Sequence, residues 1–251
     1  MKKFAVVIAM ILISFHVCGQ IINVESKRLN GTKQGWNGQI DFNLNYIKNT
    51  KEIWQFGNRI AVEYLAHKHR YLILNNIALI KAAGSDLVNK GFLHARYSYK
   101  WNLGGRFNFE SFEQIQYNSV QKITVRNLTG AGFRVKVLGN DTVNLNVGVA
   151  SMIEYEKLTD NTEEINFRGS NYMSFNWKIN KKVTLKTIWY YQPKFSNFQD
   201  YRLSGESSAS LKISNKLSFL TLFALLYDNM PPDGVPKSIL SLKNGIRYKF
   251  G

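Results

Sequence analysis

From Trp36 onward, apolar and polar residues alternate with a period of two along almost the whole chain. In the last such segment Leu240, Leu242, Ile246, Tyr248 and Phe250 share one parity, while Ser241, Lys243, Arg247 and Lys249 share the other. Successive side chains of a strand point to opposite faces, so this segment has one apolar wall and one charged wall. Twelve segments of this kind can be read. The first carries Trp36, Ile40, Phe42 and Leu44; the second Trp54, Phe56, Ile60 and Tyr64. The third, 71–81, is apolar on both parities, which leaves its facing open. The fourth to seventh are marked by Leu93–Tyr97–Trp101, Phe107–Ile115, Val125–Phe133 and Val143–Tyr155, and the eighth to eleventh by Ile165–Trp177, Val183–Tyr191, Leu203–Ile213 and Leu217–Tyr227. Most exceed the usual soluble strand of about 5–6 residues and match the roughly 9–11 that a tilted strand needs to cross an apolar bilayer zone.

Outside the third segment, Glu113 is the single charged residue on the apolar parity. Lipid contact demands such a face, because Lys or Arg at mid-bilayer costs about 2–4 kcal/mol. No run of 18 apolar residues follows Gln20, so no helix of that kind spans a membrane; a closed barrel is then the remaining bilayer architecture. The expected fold is all-β: a transmembrane antiparallel up-and-down β-barrel of about 12 strands over residues 34–251, closing on a strand with Phe250 next to last. The connections after odd segments (47–52, 82–90, 118–122, 156–164, 193–200, 228–237) read longer than those after even ones (66–70, 102–105, 138–142, 180–181, 214–216). Longer outer loops and short periplasmic turns would place both ends of the barrel on the periplasmic side. Trp36, Trp101 and Trp177 then fall at periplasmic strand ends and Trp54 at an outer one, where indoles favour the headgroup level.

The start of the chain reads Met1-Lys2-Lys3, then a mostly apolar stretch from Phe4 to Val17 and Cys18-Gly19-Gln20. Two lysines, a short apolar core and a small residue before a polar one predict a cleaved secretory signal peptide over 1–19, followed by a flexible leader over 20–33. The single cysteine, Cys18, would leave with the signal, so no disulfide framework is expected. The formal net charge is +16, two less once Lys2 and Lys3 are removed. The basic residues are scattered singly through strand-like segments, which points to anionic lipid and lipopolysaccharide as partners and away from nucleic acid. The barrel-assembly machinery is the expected partner during insertion, in the cell outer membrane of a Gram-negative envelope.

Further along stand His94-Ala95-Arg96-Tyr97, then the stretch from Phe109 through Glu110, Phe112 and Glu113 to Tyr117-Asn118, and Leu128-Thr129-Gly130-Ala131-Gly132-Phe133-Arg134. These residues resemble the family called domain of unknown function 481, the salt-induced outer-membrane proteins, in the form found in Bacteroidota. The resemblance is best over 36–138. It implies an outer-membrane barrel and brings no assigned chemistry, so no catalytic residue is carried over.

Candidate chemistry is sparse. Gly130-Ala131-Gly132 continues a strand rather than opening a helix, so it reads as room for a neighbouring aromatic and not as a phosphate cradle. His67 and His69 flank Lys68 in a predicted periplasmic turn without a carboxylate or cysteine nearby, which predicts solvated turn histidines and no metal site. A barrel phospholipase would need a serine beside a histidine on the lipid-facing wall. His94 instead lies on the wet parity with Arg96, and no serine is placed for the role, so no enzyme, cofactor or catalytic residue is expected. The wet parity supplies the lumen-facing candidates: Arg59, Glu63, Arg96, Glu110, Arg134, Lys136, Arg168, Lys178, Lys186, Arg202, Glu206, Lys212, Lys243 and Arg247. Basic groups predominate, so a conducting lumen would lean toward anions. Long Arg and Glu side chains can equally fill a small bore, and Phe112, Met152 and Tyr172 on the same parity favour a plugged one. The expected function is a structural or stress-related envelope protein or a narrow anion-leaning, porin-like pore. The alternative is a module whose surface loops bind lipopolysaccharide or an extracellular partner.

Overall fold

In the computed structural model, residues 24–25, 34–48, 52–102, 105–214 and 217–248 are described; the side chains at 41, 43, 243 and 245–248 are not among them. The signal-peptide region thus lies outside the described residues, as does the leader except for Val24 and Glu25.

The alternating segments form thirteen antiparallel strand segments in one sheet. They are β1 (Gly35–Lys48), β2 (Glu52–Ala66), β3 (His69–Ala82), β4 (Ser85–Lys100), β5 (Phe107–Asn118), β6 (Ile123–Gly139), β7 (Val143–Leu158), β8 (Glu163–Gly169), β9 (Asn171–Lys178), β10 (Val183–Lys194), β11 (Asn197–Lys212), β12 (Leu217–Asp228) and β13 (Ser238–Tyr248). Neighbours in sequence are neighbours in the sheet, the up-and-down order of a barrel wall. β8 and β9 both pair with β7 and β10, so they act as one interrupted stave and the wall has twelve staves. The interruption at Ser170 lies beside Pro193 of β10, where the register shifts. Proline has no N–H for the ladder, so β8 meets β10 only at Arg168–Lys194 while the Ser170 N–H turns to the Ala150 carbonyl of β7 (2.7 Å). The sheet curls far enough for β5 to meet β9 across its inside, the Tyr172 hydroxyl donating to Glu110 at 3.1 Å. β1 and β13 are the two ends of this order, and no register joins them among the described residues.

The connections differ from the expectation of long outer loops. His67 and Ala83 adopt left-handed backbone (φ 50° and 51°) and Gly84 follows at 81°, so the β2–β3 and β3–β4 turns need only two residues each. Ladder hydrogen bonds therefore continue through 85–90, read above as loop, since strand pairing extends beyond the apolar zone that marks a strand in sequence. The β12–β13 connection, 229–237, is the longest between the described strands. Both chain ends of the barrel lie at the side where β1 begins, here called the terminal end, and 229–237 lies at the opposite, distal end.

The exterior is apolar: Ile165 is 76% exposed and Val149 61%. Aromatic rings form two bands. Trp36, Tyr64, Tyr71 and Tyr97 follow one another toward the terminal end, and Tyr46–Trp54 and Tyr191–Tyr201–Tyr227 toward the distal end. On β1 and β2 the bands are about ten residues apart, roughly 33 Å of strand, which at a tilt near 40° gives about 25 Å of height, that of a barrel's lipid belt. Between the bands Glu113 faces outward, and its carboxylate accepts the Thr129 hydroxyl of β6 at 2.5 Å. Glycines make room for inward aromatics. A Cβ on Gly130 would stand 2.5 Å from the Phe112 ring, and one on Gly148 2.0 Å from Tyr172. Gly148→Val is expected to evict Tyr172 from Glu110 and lower stability by about 1–3 kcal/mol, read as an earlier urea midpoint in refolding assays; an unshifted midpoint would show that the ring moves freely.

Candidate functional site: the barrel interior

The interior divides into three zones. At the distal end, six staves each send ionic side chains inward to one point. Glu154 of β7 is 1% exposed and sits 2.6 Å from Arg202 (β11), 3.1 Å from Arg168 (β8) and 3.7 Å from Arg126 (β6). Glu156 pairs with Arg126 and lies 3.6 Å from Arg202. Arg202 also donates to Asp228 of β12 (2.8 Å), and Arg168 reaches Asp200 of β11 (2.9 Å), which Lys194 of β10 approaches at 3.8 Å. Four carboxylates thus meet four cations, so the block is neutral although nearly dry. Burying these ions singly would be prohibitive; mutual pairing is what makes the arrangement tolerable. Over it lies the 229–237 connection, held by the Lys122 ammonium donating to the Asp233 carbonyl (2.6 Å). Lys122 stands between β5 and β6, so the proline-bearing loop between β12 and β13 reaches over the distal mouth.

The middle zone is the waist. Arg96 of β4 lies 3.3 Å from Glu110 of β5, whose carboxylate also accepts the Ser98 hydroxyl (3.1 Å) and the Tyr172 hydroxyl (3.1 Å). The Arg96 guanidinium lies 5.9 Å from the centre of the Phe112 ring, on whose other neighbour, His94, the ring stacks at 5.8 Å. His94 Nδ1 is 3.0 Å from Gln114 Oε1, and the Gln114 amide donates to Gln116 (2.7 Å). The space left between waist and ionic block is a cavity of about 30 Å³, room for no more than a few water molecules.

Val24 and Glu25 close the waist from the terminal side. Glu25 lies 3.0 Å from Arg134 of β6 and 3.4 Å from Arg96. Val24 is buried with Ala61, Leu72, Leu74 and Phe92. This explains the third strand: Tyr71 and Ile73 face outward while Leu72 and Leu74 face inward, so both parities are apolar because the inner one packs on Val24.

Below the waist a vestibule of about 800 Å³ opens at the terminal end. His67, Lys68, Arg70, Lys100, Arg134, Lys136, Lys178 and Lys186 line it, and Glu25 is the one carboxylate among its described lining residues. The Gln34 side chain, just before β1, accepts the His67 N–H (2.9 Å) at its rim.

Of the wet-parity candidates, Arg96, Glu110 and Arg134 come together at the waist, Arg168 and Arg202 in the ionic block, and Lys136, Lys178 and Lys186 in the vestibule. Glu63 is buried against Arg70 (3.0 Å). Glu206 is half-buried; Arg59 and Lys212 are exposed on the inward parity, apart from these groups. The side chains of Lys243 and Arg247 lie outside the described residues. Phe112, Met152 and Tyr172 point inward, Met152 at 1% exposure. His69 lies 2.8 Å from the Tyr97 hydroxyl, and no cluster of three metal-ligating side chains occurs among the described residues. The candidates above omit Arg126, Glu154, Glu156, Asp200 and Asp228, all of which share the wet parity of their strands and so carried the same signal. Glu25, on no strand, carried none.

A family model described as "Protein of unknown function, DUF481" matches residues 27–250. No curated protein matches the chain. Among solved structures, the chain is similar to a NanC porin (8% identity, 83% of this chain and 100% of that one, TM-score 0.49). It is also similar to a KdgM porin (13% identity, 83% and 99%, TM-score 0.46).

Proposed function

The chain belongs to the DUF481 family, and from that premise we propose that it is a non-enzymatic barrel of the Gram-negative outer membrane whose lumen is a gated, anion-leaning conduit. One observation carries this reading: a basic vestibule open at one end leads to a waist closed by side chains rather than by the barrel wall. The exposed apolar belt with its two aromatic bands supports lipid as the surrounding medium. The short connections leave little surface for a loop-based binding module, and the one long loop is occupied with Lys122.

Planar-bilayer recording in a salt gradient tests the reading. Openings are expected to be rare and chloride-leaning, and the double variant Lys136→Glu/Lys178→Glu, exposed in the vestibule, should move the reversal potential toward the cation. A cation-selective native protein would end the anion assignment. Heat-modifiable gel migration and dependence on an amphiphile check the barrel itself. A well-behaved monomer in plain buffer would remove it.

A further inference from the structure

The waist reaches charge balance only with a residue that is not part of the wall. Arg96 and Arg134 face Glu110 and Glu25; Glu110 belongs to β5, whereas Glu25 stands ahead of β1 on the leader. Glu110 is already committed to Ser98 and Tyr172, so Glu25 is the acid that Arg134 is paired with. The seat also opens directly onto the vestibule, because both Glu25 and Arg134 line that cavity. Its size falls in the range of small-molecule sites. Beside Glu25, Val24 packs among Ala61, Leu72, Leu74 and Phe92.

We propose that Arg96 and Arg134 form a carboxylate-binding site inside the lumen, occupied by the chain's own Glu25. The Val24–Glu25 segment is then a plug, and carboxylate-bearing solutes that enter the vestibule compete for its seat. Paired guanidinium groups favour a carboxylate over chloride because their N–H donors match its two oxygens in direction as well as charge. Because Glu25 belongs to the same chain, it occupies the seat intramolecularly, and a free carboxylate displaces it only when present in large excess. The inference rests on the barrel reading above and deepens it by naming the ligand class and the gate.

The direct test follows the plug rather than the current. In a Cys18→Ser background, Val24→Cys places a lone thiol at the buried anchor. Labelling of the membrane-inserted protein by a water-soluble maleimide should be slow. Adding Glu25→Gln should accelerate it at least tenfold, and Arg134→Gln, which removes a group near the vestibule surface, should do the same. Sodium acetate should accelerate labelling of the Val24→Cys protein relative to sodium chloride at equal ionic strength, and should have no further effect on the Glu25→Gln form. In bilayers Glu25→Gln, with native Val24, should raise open probability several-fold. Equal labelling rates in all forms, with heat-modifiable migration retained, would overturn the plug. Acceleration by Glu25→Gln but none by acetate would overturn the carboxylate site. Loss of heat-modifiable migration in the unmutated protein would instead strike the barrel reading, so the two failures are distinguishable.

Discussion

Replacing Glu154 by alanine is expected to lower folding stability by about 3–5 kcal/mol, because it strands several buried guanidinium groups in a nearly dry block. Glu154 is 1% exposed and is the acid shared by Arg126, Arg168 and Arg202. Its loss leaves three carboxylates against four cations, and the excess charge is buried away from bulk solvent. Urea titration of the protein in lipid vesicles, read by gel migration of the folded form, should show the midpoint falling sharply. The control is Lys157→Ala, which breaks the exposed pair with Glu163 (2.7 Å) near the same end of β7. Exposed pairs contribute about 0–1 kcal/mol, so this change should be nearly silent. If Glu154→Ala were as mild as the control, the distal block would have to be hydrated and the lumen open there.

A charge placed on the outer wall should be nearly as damaging, and only in lipid. Val149 of β7 points outward opposite Phe133 of β6, midway between the aromatic bands. Val149→Arg is expected to cost about 2–4 kcal/mol in a bilayer, since the guanidinium there faces hydrocarbon. Asn146→Arg, three positions earlier on the same strand, faces the vestibule and should be close to neutral. A difference between the two variants measured in vesicles would locate the hydrocarbon on the Val149 side. Equal effects would mean that the wall is not lipid-facing at that height.

Much of the wall was legible because strand period is a local property. A two-residue rhythm assigns each side chain to one face whatever the rest of the chain does, and it yielded twelve staves with outward Trp36, Phe133 and Ile165 and inward Arg96, Glu110 and Arg168. Connections were less legible. The stretch 85–90 has no apolar rhythm, yet it pairs, because Ala83-Gly84 accepts the positive φ that a two-residue turn requires. Conversely, 165–177 keeps one parity on both sides of Gly169-Ser170-Asn171 and reads as one strand, yet it splits at Ser170, beside a proline on the neighbouring stave.

Outside the third strand, the sequence by itself therefore determined which side chains belong inside and which outside, since facing follows from parity alone. Only the tertiary structure decided which inward groups meet. Arg202 and Glu154 are separated by two staves, and their encounter depends on how tightly the sheet curls. It also explained why the third strand is apolar on both faces and where Glu25 goes, because that residue lies on no periodic element and finds its place only by charge and shape in a lumen already built.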